Sequence, residues 1–175
     1  VHCDVVLKLY EDLPRIDLRL ELGKTLSTDI ESVYLPLTLD LPDHELWLRK
    51  GGREAMRPGV DQLPGTNMEY SMSDDGLAWV GEGGGVLLAA MDTPLYYFGE
   101  LRHHPIRLCE RAAEDNHRPV WSWLMNNTWE TNFKLDLSGF AEYRYTLWLT
   151  EETDPERALD SLHEQMFAPV VRIVG

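Results

Sequence analysis

Cysteine is scarce in this 175-residue chain: there are two, Cys3 and Cys109, and they form no C-x-x-C pair or other metal-ligand spacing. Two buried, reduced thiols are the default, which points to the cytoplasm. Positive charge is scarce as well, with 16 Lys+Arg against 30 Asp+Glu and a formal charge of −14. A surface that acidic repels phosphate backbones and anionic lipid, so neither nucleic acid nor a membrane is expected as a partner. The acidic residues are scattered rather than blocked, the pattern of a solvated face. No apolar run approaches the roughly 20 residues that span a bilayer. There is no Gly-x-Ser-x-Gly elbow, and no Gly-Lys-Ser/Thr follows the glycine run Gly81-Glu82-Gly83-Gly84-Gly85. Those absences remove the signatures of α/β-hydrolases and P-loop proteins. The chain opens on Val1 rather than Met and reads as a piece of a longer protein. At this length it needs no disulfide or metal to hold a core.

What the chain has in quantity is period-two alternation. In Arg15–Leu22 the even positions Ile16, Leu18, Leu20 and Leu22 are apolar, and Asp17, Arg19 and Glu21 are charged. That is a strand with one buried and one wet face. The pattern recurs at Val33, Leu35, Leu37 and Leu39, where Pro36 places the strand at an edge or a bulge. Val5–Tyr10 and Glu45–Leu48 read as shorter strands. Gly51-Gly52, Pro58-Gly59 and Pro64-Gly65 mark an irregular segment from Arg49 to Met68 that packs as an ordered flap or has a job. Leu77–Val80 and Val86–Met91 flank the glycine run as a hairpin. Leu95–Gly99, Val120–Met125 and Tyr143–Leu149 are aromatic-rich strands. Thr153-Asp154-Pro155-Glu156 starts one helix, with Ala158, Leu159, Leu162 and Met166 on one face; Pro169 ends it and Val170–Val174 offers a last strand. The fold expected is mainly β, a single antiparallel β-sandwich over residues 1–175 with one C-terminal helix. Leu18, Leu20, Val33, Leu35, Leu37, Val86, Leu88, Trp121, Tyr145 and Leu147 are its expected core.

Candidate chemistry is thin. His103-His104-Pro105 is the only histidine cluster; neighbours on a strand point to opposite faces, and no third ligand stands at zinc spacing. Carboxylates are too many to single out a glycosidase pair. Asp92, ending an apolar strand before Thr93-Pro94, is the most distinctive acid, and an Asx-turn also accounts for it. The densest feature runs from Trp121 to Phe133, with three Trp and three Asn in thirteen residues, the Asn126-Asn127-Thr128 sequon among them. Flat aromatic faces stack on sugar C–H surfaces, and amides bond hydroxyls in pairs. A polyol-binding rim fits this, and so does a buried aromatic strand pair whose Asn residues shape a turn. Trp121 and Trp123 share a strand face and look like core.

Several spaced segments resemble the C-terminal β-domain of glycoside hydrolase family 38, the α-mannosidases. They are Pro14-Arg15-Ile16-Asp17, Tyr34-Leu35-Pro36-Leu37, Asp61-Gln62-Leu63-Pro64-Gly65, Asp92-Thr93-Pro94-Leu95 with Gly99, Asn127 through Phe133, and Arg144-Tyr145. The likeness runs from about residue 12 to 150 in the family's order. It implies a supersandwich similar to galactose mutarotase, a parent glycoside hydrolase, and a catalytic domain of the same parent chain as partner. Zinc and the catalytic carboxylates belong to that absent domain, so no catalytic residue and no cofactor are expected in this chain. By analogy, loops of the β-domain line the sugar pocket; the carbohydrate-rim candidates are Gln62, Asp92, Asn126, Asn127, Trp129 and Asn132, expected on one shared rim. Two other classes stay open. A stand-alone carbohydrate-binding module needs Trp123, Trp129 or Tyr70 as an exposed platform. A mutarotase-like epimerase needs His103 or His104 facing Asp92.

Overall fold

Alternating apolar residues become strands here because one face of each finds a core to bury. The computed structural model describes residues 1–52, 54–102, 108–109, 116–127 and 136–167. Their strands, in chain order, are β1 (His2–Leu9), β2 (Arg15–Lys24), β3 (Ser32–Pro36), β4 (His44–Arg49), β5 (Ala55–Met56), β6 (Thr66–Asn67), β7 (Tyr70–Met72), β8 (Leu77–Gly81), β9 (Gly84–Ala90), β10 (Leu95–Phe98), β11 (Leu108–Cys109), β12 (Val120–Asn126) and β13 (Gly139–Thr150). The single helix among the described residues, α1, spans Pro155–Phe167. Strands of the larger sheet run in the order β1-β2-β13-β9-β8-β4-β5; a second sheet runs β3-β12-β10-β7, and β11 pairs with β6. Every strand pairing is antiparallel. No helix among the described residues is long and apolar enough to cross a membrane.

The two sheets pack face to face, as the alternation predicts. Leu20 and Leu22 of β2, Leu46 and Leu48 of β4, Leu77 and Trp79 of β8, Leu88 of β9, and Tyr143 and Tyr145 of β13 meet Tyr96, Phe98 and Val120 of the smaller sheet. Tyr145 Oη donates to Ser122 Oγ at 2.8 Å and Tyr143 Oη to the Leu124 carbonyl at 3.2 Å, tying the layers together. Of the expected core, Leu20, Leu37, Leu88 and Tyr145 are buried, and Leu18, Val33, Leu35 and Leu147 pack against them. Trp121 corrects the expectation. The core side of β12 is Val120 and Ser122, and Trp121 points to the opposite face of the smaller sheet, paired across from Tyr97. Pro36 sits as foreseen, at the end of the edge strand β3.

The middle strands of the larger sheet are apolar on both sides. Ala78, Val80, Leu87 and Ala89 face away from the sandwich core and are covered by Ala158, Leu159 and Leu162 of α1. Asp154 caps the helix, its Oδ1 accepting from Arg157 N at 3.0 Å, with Pro155 in the first turn where no donor is missed. Arg49 pins the helix to the sheet. From its buried place at the end of β4 it donates to Asp160 Oδ1 (2.8 Å), Glu156 Oε2 (3.1 Å) and Asp75 Oδ2 (3.3 Å). The glycine run is the expected hairpin, Gly81 opposite Gly84. A Cβ on Gly84 would lie 2.2 Å from the Thr150 carbonyl and one on Gly85 2.0 Å from that of Trp79, so the close approach of three strands there demands glycine. In the segment expected to pack as a flap, Arg57 clamps Asp61 (2.8 Å) and Glu45 (3.0 Å), tying its described part to β4. The final strand expected at Val170–Val174 lies outside the described residues.

Two buried phenols make opposite predictions. The Tyr96 hydroxyl is enclosed and has no partner among the described residues, whereas Tyr145 is bonded to the fully buried Ser122. Removing an unpaired buried hydroxyl relieves its desolvation cost, and removing a paired one orphans its partner. Tyr96→Phe is expected to leave stability unchanged or raise it by up to ~1 kcal/mol. Tyr145→Phe is expected to cost about 1–2 kcal/mol. Urea unfolding of the two variants measures both, and equal losses would refute the distinction.

Candidate functional site

The outer face of the smaller sheet is aromatic, which follows from register. Trp123 lies opposite Tyr34 of β3, Trp121 opposite Tyr97 of β10, and Tyr97 opposite Tyr70 of β7, so all five rings share one side. Trp123 stacks on Tyr34 at 5.9 Å between centroids and 16° between planes. Tyr70 tilts against Tyr97 (4.7 Å) and Trp123 (5.2 Å). Each indole N–H is bonded, Trp121 Nε1 to the Gly99 carbonyl at 2.9 Å and Trp123 Nε1 to that of Met125 at 3.2 Å. Burial beside the Tyr34 hydroxyl pushes the Tyr70 phenol well up. Met72 and Leu95 lie opposite each other on this same face and are exposed. Both faces of the sheet are thus apolar. Trp121 and Trp123 share a face as the sequence suggested, but it is this one, not the central core.

Asp92, Asn126 and Asn127 gather at one end of the smaller sheet, and Gln62 does not join them. Asp92 follows β9, and its neighbour Thr93 donates to the Trp123 carbonyl at 2.9 Å, three residues before Asn126 on β12. Gln62 belongs to the opposite end. It accepts from Gly59 N (2.8 Å) and donates to the Asn67 carbonyl (3.0 Å), in the loop that reaches Phe98 at the far end of β10 through Glu69. The shared rim therefore fails for Gln62, because β10 separates the two loops by its whole length. Trp129 and Asn132 lie outside the described residues, as do His103 and His104, and with them the pairing to Asp92.

At the end that does form, the polar groups are already engaged. Asn127 is buried and its amide clamps the start of β3: Oδ1 accepts from Glu31 N and Nδ2 donates to the Asp29 carbonyl, both at 2.6 Å. Ser32 Oγ donates to Asn126 Oδ1 at 3.2 Å. Asp92 is not a simple Asx-turn. It accepts from Arg144 Nη2 (2.8 Å), Nε (3.0 Å) and backbone N (2.8 Å). The bonds from that guanidinium hold its carboxyl below the usual range.

Arg144 leads into a groove of about 570 Å³ on the outer face of the larger sheet. Its floor carries Arg15, Asp17 and Arg19 of β2 and Arg144, Thr146 and Trp148 of β13; Gln165 and Met166 of α1 form a wall. Asp17 is the hub. It receives Arg15 Nε (2.7 Å), Tyr10 Oη (2.6 Å) and Thr146 Oγ1 (2.9 Å), and the Arg15 guanidinium lies 5.1 Å from the centre of the Trp148 ring. Burial alone would raise the Asp17 carboxyl, but those bonds outweigh it and hold it low. The sequence signal for this cluster was present in Pro14-Arg15-Ile16-Asp17, but its partners Thr146 and Trp148 lie too far along the chain for spacing to reveal. Asp17 and Asp92 are both held ionised by arginine, so the pair does not supply one raised and one ordinary carboxylate for acid–base catalysis. Among the described residues no group of three or more His, Cys, Asp or Glu is placed to hold a metal ion. No family model and no curated protein matches the chain.

Two expectations follow. Asn127→Ala removes the clamp and leaves the Asp29 carbonyl and Glu31 N–H unpaired, so it is expected to cost about 2–3 kcal/mol by urea unfolding; no loss would mean the amide is free for a ligand. The folded carboxyls of Asp17, Asp61 and Asp92 are all depressed, Asp61 by the bonds from Arg57. Each binds its proton more readily unfolded, so their contribution is complete above about pH 5 and drains away as pH falls below about 4. Urea midpoints measured against pH are expected to be level from neutrality to about pH 5 and to decline below. A rise on acidification would contradict the ion-paired picture.

Proposed function

We propose that this chain is the non-catalytic β-sandwich domain of an α-mannosidase-like glycoside hydrolase, similar to the C-terminal β-domain of family 38, and that it packs against that enzyme's catalytic domain. One observation carries the reading: the smaller sheet is apolar on both faces, with Tyr34, Tyr70, Trp121 and Trp123 half-buried and Met72 and Leu95 exposed on the outer one. A sheet with two apolar faces is the middle layer of something larger. The segments resembling family 38 supply Tyr34, Leu95 and Arg144 to this face and its adjoining end. On this reading zinc and the catalytic carboxylates reside in the partner domain, the galactose mutarotase-like supersandwich is completed in the whole enzyme, and the Asp92–Asn127 end borders its carbohydrate pocket. Cys3 is exposed on the edge strand rather than buried and Cys109 is half-buried, and both being free thiols accords with a cytoplasmic protein. A stand-alone sugar-binding module is less well supported, because among the described platform candidates Trp123 spends one ring face on Tyr34 and Tyr70 leans against it.

The purified chain is expected to show no turnover of aryl α-mannosides and no stoichiometric zinc. Joined to a family 38 catalytic domain it is expected to support turnover, and Trp123→Ser is expected to weaken that association. Turnover by the chain alone, abolished by a chelator, would overturn the proposal.

A further inference from the structure

Among the described residues, β1 is the outermost strand of the larger sheet and pairs with β2 only, and it is exposed at all eight residues. Its register runs from His2↔Gly23 to Leu9↔Ile16 without a shift, so no bulge bends it, and it contains no proline. Bulges, prolines and unmatched charges are the usual guards of a free edge. The odd residues Cys3, Val5, Leu7 and Leu9 face the core side, opposite Leu22, Leu20, Leu18 and Ile16. The smaller sheet ends at β3 and leaves them open, with Val5, Leu7 and Leu9 at 54, 60 and 72% exposure. Its two carboxylate and ammonium charges, Asp4 and Lys8, stand on the other side.

We propose that β1 is a self-association edge through which two copies of this chain join, β1 to β1, antiparallel about a twofold axis at Val6. Facing residues of an antiparallel pair lie on the same side of a sheet, so a twofold pairing must match odd with odd and even with even. With the axis at Val6, Asp4 faces the second copy's Lys8 and Lys8 faces its Asp4, while Val5 faces Leu7 and Cys3 faces Leu9. An axis at Val5 sets His2 against Lys8 and Asp4 against Val6. An axis at Leu7 sets Lys8 against Val6 and Asp4 against Tyr10. Only the Val6 register pairs opposite charges, and it does so twice. Asp4 already holds His2 at 2.7 Å on the same face, which places a further donor beside the pair. The lysine that would guard this edge against strangers is thereby matched by the chain's own aspartate. This contact is separate from the aromatic face and does not depend on the enzyme reading.

Light scattering and sedimentation over a concentration series test it. The wild-type chain is expected to dimerise as concentration rises. Asp4→Lys and Lys8→Asp each turn both ion pairs into like-charge repulsions and are expected to weaken the dimer about tenfold or more. The double reversal, Asp4→Lys with Lys8→Asp, is expected to restore it. Both side chains are exposed, so all four proteins should melt alike. Hydrogen exchange of the β1 amides should slow with concentration in the wild type and the double variant only. A wild type that stays monomeric overturns the proposal, as does a dimer indifferent to the single reversals. So does a monomer whose β1 amides are protected only within a longer polypeptide, which would give the edge to another strand of that polypeptide.

Discussion

A sheet whose middle strands are apolar on both sides must be covered twice, and this constraint organises the molecule. β8 alternates Leu77 and Trp79 with Ala78 and Val80, and β9 alternates Leu88 with Leu87 and Ala89, so neither strand has a wet face. One side receives the smaller sheet, joined by the Tyr145–Ser122 bond; the other receives α1, held by Arg49. The buried Arg49 guanidinium is tolerated because carboxylates surround it on three sides, and losing it would leave the buried Asp75 carboxylate with its bond to His163 Nδ1 but no guanidinium. Neither cover reaches the whole sheet. β1 lies beyond the smaller sheet and the start of β2 at the margin of α1, which is where the open apolar row and the charged groove lie.

Much of the fold was legible because local signals and burial agree. The alternation of β2 set its register, since a one-residue slip would turn Leu18, Leu20 and Leu22 into solvent. Asp154-Pro155 and the Ala158–Leu159–Leu162 stripe gave the helix and its buried face. Less legible was which side of β12 meets the core. Period two says that Trp121 and Trp123 share a face, but not which face. The small Ser122 won the interior because Tyr145 reaches across to it with a hydroxyl, and size alone would have chosen tryptophan. Arg49 was invisible for a similar reason: it ends a strand, and two of its three carboxylate partners, Glu156 and Asp160, lie on a helix more than a hundred residues later.

The candidate site divides the same way. Asn126, Asn127 and Asp92 lie toward the same end of the smaller sheet, since Thr93 is bonded to the Trp123 carbonyl across it. Their chemistry is different from a free polyol rim, because the amide of Asn127 and the carboxylate of Asp92 spend their hydrogen-bonding capacity inside the fold. Composition counts donors and acceptors and says nothing of how many are left over. Gln62 illustrates the cost of inferring proximity from polar loops: loops at both ends of a sandwich are equally polar. What the sequence under-reported is the aromatic face, since Tyr34, Tyr70 and Tyr97 come from three separate strands and meet only through register.

β13 carries a consequence for how the protein is made. It is the last strand along the described chain, yet it lies between β2 and β9 in the larger sheet. During synthesis β1 and β2 are made before the other described strands of their sheet, and a hairpin without its sheet neighbours is marginal in water. The edge of β2 that pairs with β13 stays open until residues 139–150 leave the ribosome. At roughly 5–20 residues per second that interval is on the order of ten seconds. For its duration the hairpin shows an unpaired strand edge beside an apolar side that is not yet fully packed, the kind of surface that chaperones bind.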